Sequence, residues 1–106
     1  MPKYLIHANY VGHGIKGLLK EGGSSRQRAI ERLAGSLGGS VESVYYAFGD
    51  TDVYVILNMP DNASMSAVAL RAAATGAVTI KTTVLMTPEE VDEATKKTLD
   101  YRPPGQ

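Results

Sequence analysis

Between Ser40 and Asn62 the chain reads SVESVYYAFGDTDVYVILNMPDN. Two runs rich in β-branched and aromatic residues flank Gly49-Asp50-Thr51-Asp52, and Pro60-Asp61-Asn62 stops the second run. Glycine and aspartate tolerate left-handed backbone and bond their own main chain, so the link reads as a turn. Runs joined this closely pair as an antiparallel hairpin, with strands expected over 41–48 and 53–59. The hairpin fixes a fold class. It does not fix a reaction.

The flanking segments supply the rest of the sheet and its helices. Residues 3–10 alternate, with Tyr4, Ile6, Ala8 and Tyr10 on one side and Leu5, His7 and Asn9 on the other. A glycine-rich loop follows, with a helical turn expected in 15–20 that Glu21-Gly22-Gly23 interrupts. Ser24 or Ser25 is placed to cap a helix through Leu37, because Ala29, Ile30, Leu33, Ala34 and Leu37 recur at helical spacing. Gly38-Gly39 closes it. Asp61 or Asn62 caps an alanine-rich helix to about Thr75, with Met65, Val68, Ala69 and Ala72 able to face inward. Gly76 ends that helix, and 78–86 makes a fourth strand.

The order β-α-β-β-α-β is the ferredoxin-like split, an α+β fold with a four-stranded antiparallel sheet and two helices on one face. Thr87-Pro88-Glu89-Glu90 starts a short C-terminal helix, with a capping box and proline in the first turn. It is expected to end near Lys97, supported by Asp92–Lys96 and Glu93–Lys97 pairs. One domain over 1–97 and an irregular tail over 98–106 follow.

The helix-facing set reads Ile6, Ala8, Val53, Val55, Leu57, Val78, Ile80 and Val84. The opposite set holds Leu5, His7, Asn9, Tyr54, Ile56, Asn58, Thr79, Lys81, Thr83 and Leu85. Strand two presents Val44, Tyr46 and Phe48 on one side and Val41, Ser43 and Tyr45 on the other, and its orientation stays open. Either way, aromatic and branched groups remain on the second face. Soluble monomers rarely leave such a patch wet. Sheet-on-sheet packing with a second copy about a two-fold axis buries it, so a homodimer is expected. A C-terminal helix folded back over the patch is the alternative, but it offers only Val91, Ala94 and Leu99.

The marks Tyr4, Gly14-Ile15, Gly38-Gly39, Gly49 with Asp52, and Pro60-Asp61 resemble those of the GYD-domain family. The resemblance runs from about Tyr4 to Glu90, and Thr51 stands where that family's tyrosine is expected. It implies a dimeric α/β barrel. It transfers no catalytic residues, and the wider superfamily spans cofactor-free oxygenases, lactone isomerases, haem enzymes and ligand sensors. Fold alone therefore assigns no activity.

Composition narrows the functional classes. Eleven basic and eleven acidic side chains cancel in 106 residues, so no overall field attracts nucleic acid or an anionic membrane. The absence of cysteine excludes disulfides, thiolate metal sites and a thiol nucleophile. The N-terminus lacks a signal-peptide core and no stretch approaches membrane-spanning length, so a cytoplasmic location is expected. Two histidines without ligand spacing make no metal site, and no cofactor is expected.

Gly12-His13-Gly14-Ile15-Lys16-Gly17 matches G-x-G-x-x-G after a strand. The dinucleotide fingerprint also needs a parallel βαβ unit and a suitably spaced acid, which this chain lacks, so a loop or lid is the reading. Arg26, Arg28 and Arg32 read as a solvated helix face. His7 is the candidate catalytic base, projecting from mid-strand near Tyr54 and Lys81. Asn9, Tyr46, Tyr54, Asn58 and Lys81 are the candidate ligand-binding residues, a mostly apolar wall carrying a few polar groups. Two functions follow: a small-molecule-binding protein, or a cofactor-free enzyme on a small aromatic, quinone or lactone. In the second, Tyr54, Asn58 and Lys81 position an oxyanion.

Overall fold

A computed structural model describes residues 1–106. The elements are β1 (Lys3–Tyr10), α1 (His13–Glu21), α2 (Gly23–Ser36), β2 (Ser40–Tyr46), β3 (Val53–Asn58), α3 (Asn62–Ala74), β4 (Val78–Leu85) and α4 (Pro88–Thr95). The four strands form one antiparallel sheet in the order β2-β3-β1-β4, the ferredoxin-like arrangement. Tyr4, Ile6, Ala8 and Tyr10 of β1 are all buried, as their alternation requires. They join Val53, Val55, Leu57 and Met59 from the β3 side, Ala34 of α2, and Met65 and Val68 of α3 in one core. Val78 and Ile80 pack against it. Val84 shares their face but is 59 % exposed, because no helix covers that end of the edge strand.

Local chemistry explains the boundaries. α1 and α2 are separated by Gly22 alone, at φ +82°. The Gly22 amide closes α1 on Leu18 O at 2.8 Å, and Gly22 O accepts from the Arg26 amide to open α2. Neither Ser24 nor Ser25 caps α2, which already starts at Gly23 without a side-chain cap. A glycine kink replaces the expected cap. At the other end Gly38 takes φ +80°, and the amides of Gly38 and Gly39 bond Gly35 O and Ala34 O, a Schellman closure. Asp61 caps α3 by accepting from the Ser64 amide at 2.8 Å. Thr87 and Glu90 form the expected capping box on α4.

Two features of the hairpin differ from the sequence expectation. β2 ends at Tyr46, and Ala47–Asp52 forms a longer loop in which Gly49 keeps a negative φ. A six-residue connection has no need of the primed turns that two-residue links require. It is held instead by Ala47 N to Asp52 O at 2.8 Å and by Asn9 of β1. The register also shifts between Val41 and Ser43, a bulge at Glu42. The bulge reverses the alternation, so Val41, Val44 and Tyr46 share the helix face while Ser43 and Tyr45 face away. The ammonium of Lys3 on β1 pairs with the bulged Glu42.

No residue of α4 is buried, so α4 does not cover the open face of the sheet. The Asp92–Lys96 and Glu93–Lys97 pairs do not close; the ion pairs present are Lys3–Glu42 and Glu21–Arg26. Residues 98–106 contain neither helix nor strand. No helix is long and apolar enough to cross a membrane.

Candidate functional site

The open face is ordered in rows by the strand register. Tyr45, Tyr54, His7 and Lys81 form one row across β2, β3, β1 and β4. The next row is Ser43, Ile56, Leu5 and Thr83, and the row after it is Ser40, Asn58, Lys3 and Leu85. The imidazole of His7 meets the Tyr54 ring edge-on, with centroids 5.2 Å apart and planes at 63°. His7, Tyr54 and Lys81 are thus brought together as the sequence implies.

The other candidates are dispersed. Asn58 lies opposite Lys3 and accepts from its ammonium at 3.0 Å, four residues along the strand from the His7–Tyr54 pair. At a strand rise of about 3.3 Å per residue that is about 13 Å, too far to share an oxyanion with His7. Asn9 is engaged in holding the hairpin loop: its amide donates to Asp50 O at 3.0 Å and its carbonyl accepts from the Asp52 amide at 2.8 Å. Asp52 in turn accepts from the Tyr10 amide at 2.9 Å. Tyr46 lies on the opposite, helix-covered face. Past the bulge Val44 and Tyr46 alternate regularly on one side, as the sequence reads, and pairing with Val55 and Val53 decides which face that side is.

On the helix face Tyr46 belongs to a different constellation. Its hydroxyl donates to Gly23 O at 3.0 Å. A Cβ on Gly23 would stand 3.0 Å from the Tyr46 ring, so the small residue admits the phenol. Burial, then the neighbouring Tyr10 phenol, push the Tyr46 hydroxyl up to about 12, against a smaller downward pull from Arg26.

Beside this group α1, α2 and α3 leave a cleft of about 410 Å³ over the Tyr10 end of the sheet. Its rim carries His13 of α1, Arg26 of α2 and Arg71 of α3, with Glu21 as the single acid. An apolar recess of about 90 Å³ adjoins it, with Ile6, Ile30, Val53 and Val55 in its walls. Tyr10, Arg26, Leu33, Val68, Ala72 and Val78 line both.

Arg26 is the residue that sequence reasoning misplaced. It is half-buried rather than part of a solvated face, and its Nε is buried with no hydrogen-bond partner. Its Nη1 lies 3.7 Å from Glu21 Oε2, an ion pair too long for a hydrogen bond. The signal was present in the spacing: Arg26, Ile30, Leu33 and Leu37 recur at i, i+4, i+7 and i+11. Arg28 and Arg32 are exposed, as expected. No group of three or more His, Cys, Asp or Glu side chains is arranged to hold a metal ion.

The family model for the GYD domain matches residues 4–95. Comparisons with curated proteins and with solved structures find no match.

Proposed function

The chain belongs to the GYD domain family, and from that premise we propose that it is a homodimeric small-molecule-binding protein whose chamber closes between two sheets. One observation carries this reading. The open face presents Leu5, Ile56, Leu85, Tyr45 and Tyr54 beside His7 and Lys81, and no element of the same chain covers it. Removing that apolar area from water favours pairing at roughly 25 cal/mol per Å² buried, and an isologous interface lets one patch serve both copies. The row Tyr45-Tyr54-His7-Lys81 then lines a partly polar chamber between the sheets.

Sedimentation equilibrium at micromolar concentration tests the reading. The wild type is expected at twice the 11.3 kDa chain mass, and Ile56→Lys at the single-chain mass with its far-UV spectrum retained. A wild type that stays at 11.3 kDa removes both the dimer and its chamber.

A second reading is favoured by the His7–Tyr54 contact and by Lys81 opposite His7. His7 would act as general base on a small aromatic, quinone or lactone, with Tyr54 and Lys81 positioning the developing oxyanion. Turnover of such a substrate that disappears in His7→Ala supports it. Saturable binding without turnover leaves the first reading.

A further inference from the structure

The second constellation lies on the other side of the sheet and owes nothing to pairing. We infer that the cleft between α1, α2 and α3 is a binding site for an amphipathic monocarboxylate, with Arg26 and Arg71 holding the carboxylate and the adjoining recess taking the apolar tail.

Three observations converge. The first is the buried, unpartnered Nε of Arg26. Buried polar groups in folded proteins almost always have a partner, so an orphaned guanidinium nitrogen in a cleft wall calls for an acceptor. Glu21 at 3.7 Å does not supply it. A carboxylate does once Arg26, whose side chain is 34 % exposed, turns its Nε–Nη edge into the cleft, because it matches the planar guanidinium fork.

The second is local charge. The chain as a whole is neutral, yet the cleft gathers Arg26 and Arg71 against Glu21 alone. Two arginines against one glutamate leave a local excess of a single positive charge, which suits a monoanion better than a phosphate dianion.

The third is shape. The cleft of about 410 Å³ corresponds to about fourteen waters at ~30 Å³ each, room for a ligand of roughly a dozen heavy atoms. That size falls within the range of small-molecule pockets. Behind Arg26 the walls turn apolar, with Ile30, Leu33, Val68 and Val78 continuous into the recess. A charged head at the rim and a hydrocarbon or aryl tail inward is the order of polarity the walls dictate.

Titration calorimetry with sodium octanoate, together with amide chemical-shift mapping, tests this. Saturable binding is expected, with shifts confined to α1, α2, α3 and the sheet residues that line the cleft and recess, Tyr10, Val53, Val55 and Val78 among them. Arg26→Gln and Arg71→Gln should each weaken octanoate roughly tenfold or more, the loss of one charge-assisted hydrogen bond. Uncharged 1-octanol should bind the wild type at least tenfold more weakly than octanoate. Ala72→Leu, which adds bulk where cleft and recess meet, should abolish binding while melting as a folded protein.

Equal affinity for octanol and octanoate would overturn the proposal, as would an Arg26→Gln, Arg71→Gln double variant that binds like wild type. Shifts that map to His7, Tyr54 and Lys81, or inorganic phosphate outcompeting octanoate, would overturn it equally.

Discussion

Gly14 and Gly17 sit three residues apart on the same short helix, and the structure assigns opposite signs to their replacement by alanine. A Cβ on Gly14 would lie 2.0 Å from Ala77 O and 2.8 Å from Ala77 C. Both fall inside the 3.0 Å that real Cβ contacts respect, the first by 1.0 Å, and the obstacle is backbone. Relief requires α1 to lift from the start of β4. Lifting breaks the bond from the Val11 amide to Ala77 O, 2.9 Å long, and draws Leu18 away from the core it packs against. The lost hydrogen bond costs about 1 kcal/mol. Partial withdrawal of Leu18 costs about 1–2 kcal/mol more. Alanine's better helix propensity returns less than about 1 kcal/mol. The net for Gly14→Ala is about 2 kcal/mol, or a melting temperature lower by roughly 8–16 °C for a domain of this size. Gly17 has nothing within 4 Å of its notional Cβ and lies inside α1. Gly17→Ala should stabilise by about 0.5–1 kcal/mol, raising the melting temperature by roughly 2–8 °C. Thermal melts by circular dichroism at one fixed protein concentration measure both, since pairing would make the midpoint concentration-dependent. A Gly14→Ala protein that melts with or above the wild type refutes the reasoning.

Two pH-dependent outcomes accompany it. Hydrogen bonding from Ser64 lowers the Asp61 carboxyl below its ordinary 3.8, so its stabilisation is present above that value and is lost as pH falls through the lower folded value. The melting-temperature advantage of wild type over Asp61→Asn should therefore be full near neutrality and vanish in strong acid; an advantage independent of pH would contradict the cap. Tyr46 holds its proton to about 12 when folded but to about 10.0 when unfolded, so stability declines as pH rises between those values. Tyrosinate absorbance of wild type minus Tyr46→Phe should isolate a component centred near 12, and a component centred near 10 would show the phenol free of Gly23 and Tyr10.

Much of the fold was legible in the sequence because the signals were local. Alternation in β1 chose its buried side unaided, and Asp61, Thr87, Gly38 and Gly76 marked helix ends through their own side chains or their positive φ. What escaped was non-local. The bulge at Glu42 is set by pairing with β3, so a period-two reading of β2 placed Val41 with Tyr45 when the sheet places it with Tyr46. The kink at Gly22 let α2 start without a serine cap, because the preceding helix supplies the chain's approach. The glycine motif at Gly12, Gly14 and Gly17 proved to be backbone geometry at two of its three positions: positive φ at the first and close approach to Ala77 at the second. The His7, Tyr54 and Lys81 row was readable from three alternating strands. The cleft was not, since Arg26 and Arg71 come from helices whose relative placement only the packed sheet decides.

The two constellations share β1 and otherwise separate. Alternation sends His7 and Asn9 to the open face and Ala8 and Tyr10 to the helices, so one strand serves both sides of the sheet. The link between the faces is Asp52, which accepts from the Tyr10 amide while its own amide donates to Asn9. That clamp fixes the end of β1 by main-chain and amide contacts, leaving the Tyr10 side chain to the cleft and the His7 ring to Tyr54. Arg26 and Arg71 lie on α2 and α3, behind the sheet from the Ile56 and Leu5 row. Substitutions that share no partner across a packed layer act additively. A second copy docked on the open face would leave the cleft mouth in solvent, so the proposed pairing and the proposed carboxylate capture would be independent properties of one sheet.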